Sequence, residues 1–206
     1  MPDDTPQEPL SALDTNPENE VVATSRRPKS RRRAVIEWLV ILVVAVSVSM
    51  LVRTYVVQQF SIPSGSMIPT LDVGDRILVD KLGVEFGTIN RGDVVVFRHP
   101  AKALTTCAPP VEPIFIKRVI GLPGDVITSK GSTIYVNGKP LKQTWQTTSP
   151  FGPAIGRVVV PANHYFMMGD NRGESCDSRY WGTVPRSAII GKAFVRIWPF
   201  NRIGFI

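Results

Sequence analysis

Trp38–Val52 (WLVILVVAVSVSMLV) runs fifteen residues without a charge. This stretch constrains the chain more than any other. Extended back to Ala34 it reaches nineteen residues and includes Glu37. As a helix that is roughly 28 Å long, close to the ~30 Å hydrocarbon core of a bilayer. Trp38 and Tyr55 bracket the run where interfacial aromatics belong. A buried core helix and a cleaved signal sequence are the competing readings. No small-residue cleavage pattern follows the run, and a long acidic leader precedes it. A single transmembrane helix over 34–53 is the reading adopted.

Charge distribution then orients the chain. The net charge is +7 over 206 residues. Residues 1–33 hold six acids (Asp3, Asp4, Glu8, Asp14, Glu18, Glu20) and six bases (Arg26, Arg27, Lys29, Arg31, Arg32, Arg33). The bases stand immediately before the apolar run, with only Arg53 in the dozen residues after it. The positive-inside rule therefore puts the N-terminus in the cytoplasm and residues 54–206 outside the cytoplasmic membrane. Residues 1–33 also contain five prolines and no aromatic residue, which predicts a disordered cytoplasmic tail. The basic cluster reads as a topology signal and a contact for anionic lipid, not as a nucleic-acid site.

Residues 54–206 read as β. Short apolar runs occur at Arg76–Lys81, Asp93–Arg98, Ile114–Ile120, Val126–Thr128, Thr133–Val136, Arg157–Val160, His164–Met168 and Ala188–Trp198. Gly-Asp separates them four times, at Gly74, Gly92, Gly124 and Gly169, and Asn137-Gly138 is a hairpin signal. Residues 101–113 and 142–156 read as loops. The expected fold is mainly β, an antiparallel barrel-like or sandwich-like extracytoplasmic domain preceded by one transmembrane α-helix.

Common hydrolase signatures are missing: there is no G-x-S-x-G, H-E-x-x-H, S-x-x-K or Walker loop. Two cysteines and two histidines, with no carboxylate pair at ligand spacing, give no metal site, and no cofactor is called for. Two segments carry chemistry. Phe60–Leu71 (FSIPSGSMIPTL) flanks Ser64, Gly65 and Ser66 with prolines, which suits an exposed serine beside backbone donors and equally suits an ordinary turn. In Ile114–Ile120 (IFIKRVI), strand alternation puts Lys117 on one apolar face and Arg118 on the other. Burial lowers a lysine's pKa, so Lys117 is a candidate base; a lysine snorkelling at a strand edge is the alternative.

Taken together the segments resemble the bacterial type I signal peptidases (leader peptidases), membrane-anchored serine–lysine proteases. The resemblance rests on PSGSMIPTL at Pro63–Leu71, KRVIGLPGD at Lys117–Asp125 and GDNRGESCDSRYWGTVP at Gly169–Pro185, in that order after an apolar span. It implies Ser66 as nucleophile, Lys117 as general base, and an oxyanion hole of the Ser64 hydroxyl and the Ser66 N–H. Ser175 would orient the Lys117 amine, and Asp177 and Arg179 would pair two apart on one strand face. Phe60, Ile62, Met67, Phe115 and Ile116 would line shallow pockets admitting small side chains. The implied substrates are preproteins bearing signal peptides, and the implied partners are membrane lipid and the protein translocation machinery. Outside the membrane thiols tend to pair, so Cys107 and Cys176 are expected to form a disulfide. The contrasting class is a membrane-anchored, non-enzymatic β-rich binding module of the cell envelope, which would need no Ser66/Lys117 pair.

Overall fold

Three short turns of one design set the strand ends of this β-protein. In each, a glycine at positive φ (Gly74 +90°, Gly92 +95°, Gly124 +87°) precedes an aspartate. The aspartate carboxylate accepts the backbone N–H three residues earlier: Asp72 to Asp75 at 2.9 Å, Asn90 to Asp93 at 2.9 Å, Leu122 to Asp125 at 2.6 Å. Glycine tolerates this left-handed conformation, and the carboxylate satisfies an otherwise unpaired donor. Gly169-Asp170 departs from the design, as described below.

The computed structural model describes residues 31–52, 56–107, 112–143, 145 and 151–206. The expectations for residues 1–30, and for Arg53 and Tyr55 after the apolar run, lie outside the described residues. The chain divides into two compact units, Met1–Val44 and Ala45–Ile206. Helix α1 (Arg31–Leu51) begins in the first unit and ends in the second. Its 21 residues are about 31 Å long, sufficient to cross a hydrocarbon core. It starts three residues before the expected span and stops two short of its end.

The remaining elements in chain order are β1 (Val57–Ser61), β2 (Arg76–Asp80), α2 (Leu82–Glu85), β3 (Val94–Arg98), α3 (Ala103–Thr106), β4 (Ile114–Gly121), β5 (Val126–Lys130), β6 (Thr133–Val136), β7 (Lys139–Pro140), β8 (Val158–Val159), β9 (His164–Met168), α4 (Ser178–Trp181), β10 (Val184–Pro185), β11 (Ile189–Trp198) and β12 (Gly204–Phe205). They form two antiparallel sheets. The larger has the order β1-β2-β11-β3-β4-β9-β10, with β12 added to β11; the smaller has the order β7-β6-β5-β8. The fold class is therefore as the sequence indicates, mainly antiparallel β after one apolar helix. Asn137 (φ 52°) and Gly138 (φ 78°) make the β6–β7 hairpin turn.

Two expectations need correction. Residues 101–113 hold a helical turn, α3, whose end is tied by the Thr105 and Thr106 hydroxyls donating to the Lys102 carbonyl. Asp177 and Arg179 do not lie on a strand. Asp177 is the N-cap of α4, its carboxylate accepting the Arg179 N–H at 3.2 Å, and this cap favours a helix start over an extended chain.

The large sheet is covered on both faces. Val95, Phe97, Val119, Met167 and Trp181 belong to one core; Met67, Leu71, Val94, Val96 and Ile116 belong to another. A third core, with Ile120, Ile127, Ile134, Phe166 and Met168, joins the small sheet to β4 and β9. Strand β4 runs centrally, between β3 and β9, and its residues from Ile116 to Gly121 are buried. Any charged side chain in that stretch must therefore find a partner or lose its charge.

Candidate active site

Strand β4 places two consecutive cations, Lys117 and Arg118, in the interior at 5% and 7% exposure. Alternation sends them to opposite faces, and they meet different fates. Arg118 grips the fully buried Asp170 with two hydrogen bonds, Nε to Oδ1 at 2.9 Å and Nη2 to Oδ2 at 2.6 Å. It also donates to the Gly92 carbonyl at 2.7 Å and to Thr70 Oγ1 at 3.1 Å. Thr70 completes the cluster by donating to Asp170. Among the described residues Lys117 makes no ion pair; its Nζ lies 2.7 Å from Ser66 Oγ.

Ser66 sits at the centre of a 3-10 turn, Gly65–Met67, and is itself 5% exposed. Its backbone N–H lies in the first turn, where donors lack intrahelical partners. Ser64, exposed, turns its hydroxyl to within 3.4 Å of Ser66 Oγ. The turn is fastened to the segment after β9: the Asn171 N–H donates to the Ser66 carbonyl at 3.1 Å, and its side-chain amide donates to the Gly65 carbonyl at 3.2 Å.

That segment explains the fourth Gly-Asp pair. Gly169 is not at positive φ; it is needed for close approach, because a Cβ there would overlap both Ser175 Oγ and the Ser66 carbonyl oxygen. Asp170 is engaged by Arg118 in place of a local turn. Asp177 accepts the Gly169 N–H at 3.1 Å and forms a two-pronged pair with Arg179, both contacts 2.8 Å, with both side chains wholly buried. Arg179 further donates to the carbonyls of Arg172, Ser175 and Phe151. The pair thus holds the backbone of the segment that meets the Ser66 turn.

Burial pulls the Lys117 ammonium down from 10.5 to about 8. Asp177 and Asp170 pull the other way and Arg179 adds to the lowering, but loss of hydration dominates. At neutral pH about a tenth of the molecules then carry a free amine facing the Ser66 hydroxyl. A nucleophile and a base at hydrogen-bond distance, with a hydroxyl and a backbone N–H close by, are the components of acyl transfer.

The residues singled out in the sequence do not all meet at one place. Ser64, Ser66 and Lys117 come together around a cavity of about 260 Å³. Phe60, Ile62, Phe115 and Ile116 line an adjoining apolar cavity of about 180 Å³, whereas Met67 is fully buried in the core and borders neither. Ser175 Oγ is buried without a hydrogen-bond partner among the described residues, so the expected bond to Lys117 is not made; the hydroxyl packs against Gly169. Cys107 and Cys176 are joined as a disulfide with Cα atoms 5.8 Å apart, on the wall of the larger cavity. Sequence reasoning missed the anchoring role of Arg118 and the close approach at Gly169. The first was signalled by the second cation in IFIKRVI, the second by a Gly-Asp outside a simple turn.

The family model described as "Signal peptidase, peptidase S26" matches residues 35–198, which takes in most of the helix, both serines, Lys117 and the Gly169–Pro185 segment. The chain belongs to the signal peptidase family, peptidase S26. Similar relatives include a signal peptidase I of Leptolyngbya laminosa, 46% identical over 74% of each chain. Others are signal peptidase I of Pseudomonas fluorescens, 36% identical over 76% of this chain and 74% of the relative, and of Mycobacterium tuberculosis, 32% identical over 99% and 86%. Membership of this peptidase family makes the chain an enzyme rather than a passive binding module.

The buried Asp177–Arg179 pair yields a test. Asp177→Asn leaves Arg179 charged and unpaired in the interior, a change that typically costs about 3–5 kcal/mol. A thermal melt followed by circular dichroism should shift down by many degrees, with cleavage activity falling in parallel. A shift of a degree or less would mean that the pair contributes no more than a surface contact.

Proposed function

We propose that this enzyme removes N-terminal signal peptides from translocated preproteins, with Ser66 as nucleophile and neutral Lys117 as general base. The observation that carries the reading is the 2.7 Å contact between Lys117 Nζ and Ser66 Oγ in a site where both residues are 5% exposed. In the active form the Ser66 hydroxyl donates to the amine lone pair.

The chemistry follows from that contact. Ser66 Oγ attacks the scissile carbonyl carbon as its proton passes to Lys117 Nζ. The oxyanion that forms is met by the Ser66 N–H and the Ser64 hydroxyl, where losing one such donor typically costs about 2.7–4 kcal/mol. As the C–N bond breaks, the Lys117 ammonium returns its proton to the leaving amine, and an ester to Ser66 remains. Lys117, neutral again, takes a proton from water; the resulting hydroxide attacks the ester, and Ser66 recovers its hydrogen. One amine thus serves both half-reactions.

Geometry also supports the substrate. An extended chain lying along β1 and β4 can add main-chain hydrogen bonds while setting side chains into the two small cavities. The cavity of about 180 Å³, lined by Phe60, Ile62, Val96 and Ile116, suits an apolar side chain. Helix α1, which begins within the basic cluster, anchors the enzyme as a single-pass protein with its N-terminus, residues 1–33, in the cytoplasm and residues 54–206 outside. Ser66 follows the helix end by only fifteen residues, which keeps the nucleophile near the outer lipid surface. A signal peptide leaving the translocation machinery presents its cleavage point at that level.

Two measurements test the dyad. Ser66→Ala and Lys117→Met should each lower kcat on a signal-peptide substrate by at least a thousandfold while far-ultraviolet circular dichroism is unchanged; a Lys117→Met enzyme with near-normal turnover would rule out the lysine base. The base must be deprotonated to act, so kcat/KM should rise about tenfold per pH unit below pH 8 and level off above it. A rate independent of pH between 5 and 9 would contradict the assignment.

A further inference from the structure

The cavity that holds the dyad is also bordered by two carboxylates, Glu112 and Glu174, which the reaction does not use. Both are exposed, and among the described residues neither has an ion-pair partner. Glu174 is not free to swing away. Its Oε2 accepts the Asn171 side-chain amide at 2.9 Å, and that same amide donates to the Gly65 carbonyl. The carboxylate is thereby held against the Ser66 turn: a Cβ placed on Gly65 would stand 3.4 Å from Glu174 Oε2.

Position along the cleft gives this charge a meaning, provided that Ser66 and Lys117 are the dyad. The apolar cavity lies on one side of the dyad, lined by Phe60, Ile62, Val96 and Ile116. Glu112 borders both cavities, but Glu174 borders only the one containing Ser66 and Lys117. An extended substrate that seats its signal-peptide side chains in the apolar cavity passes Ser66 and then reaches Glu174. The dyad is neutral when active, so no adjacent positive charge of the catalytic pair cancels the carboxylate.

We infer that Glu174 is a specificity-determining residue, favouring a cationic side chain in the first residues after the scissile bond and disfavouring an acidic one. The interaction is at the protein surface, so salt weakens it. It also discriminates by repulsion, because an acidic residue placed there meets a fixed like charge.

The test uses the full-length enzyme in detergent and peptides that differ only in having Lys, Ala or Glu at the first or second position after the cleavage site. For the unmodified enzyme the Lys-to-Glu ratio of kcat/KM should be roughly fivefold at low ionic strength, the scale of a surface charge contact, and shrink in high salt. Glu174→Gln retains an acceptor for Asn171, so the Ser66 turn stays braced, and its ratio should fall to about one. Glu174→Lys should invert the ratio. Each ratio is internal to one variant, so a general loss of activity does not obscure it. A ratio unchanged in Glu174→Gln, or charge discrimination only before the scissile bond, would overturn the inference while leaving the dyad in place. Failure of the unmodified enzyme to cut any of the peptides would count against the dyad reading itself.

Discussion

A lysine amine carried into a packed β-structure loses its hydration, and the interior must either supply a counter-ion or leave the amine able to shed its proton. Strand β4 sets this problem twice in succession and resolves it differently each time. Arg118, which cannot usefully deprotonate, is given Asp170 in a two-pronged contact. Lys117 is given a serine hydroxyl. Its nearest aspartates are already engaged, Asp170 by Arg118 and Asp177 by Arg179. They raise the lysine pKa from a distance, yet less than burial lowers it. The free amine that the proposed mechanism requires therefore depends on the withdrawal of both carboxylates by arginines.

Both arginine–aspartate pairs act on a single stretch, Gly169 to Arg179, which also braces Ser66, the proposed nucleophile. Asn171 holds the Gly65–Ser66 backbone, Asp177 holds the Gly169 N–H, and Arg179 collects carbonyls from Phe151, Arg172 and Ser175. Paired charges of this kind add little net stability relative to apolar packing, but breaking one is costly. Here they set geometry. The approach of Gly169 to Ser66 and Ser175 is so close that a single Cβ would displace the turn. Neutral polar chains could not hold three segments together at that distance with the same directionality.

Much of this was legible in the sequence. Alternation in IFIKRVI fixed the opposite faces of Lys117 and Arg118, and three of the four Gly-Asp pairs and the Asn-Gly pair located turns that the structure contains. The apolar run foretold α1 to within three residues. The misses have a common origin in the path of the backbone, which residue spacing alone does not announce. Asp177 looked like a strand residue because its capping role appears only once α4 forms. Met67 looked like a pocket residue, but the core below the 3-10 turn takes it up whole. Ser175 was expected to reach Lys117; its hydroxyl instead faces Gly169, 6 residues earlier and across a tight approach that no local pattern announces. Similarly, a glutamate in GESCDS carries no mark of standing beside Ser66 until the Asn171 bridge is seen.

The central claim is electrostatic: Lys117 is a lysine whose interior placement frees its amine near neutral pH. Nitrogen-15 resonance titration of the lysine side chains, in detergent-solubilised Ser66→Ala protein with and without Lys117→Arg, reads this directly. One amine should titrate with a midpoint about 8 and vanish from the spectrum of the Lys117→Arg variant. A spectrum in which the signal lost in the Lys117→Arg variant titrates above 10 would contradict the account, whatever the activity of the enzyme.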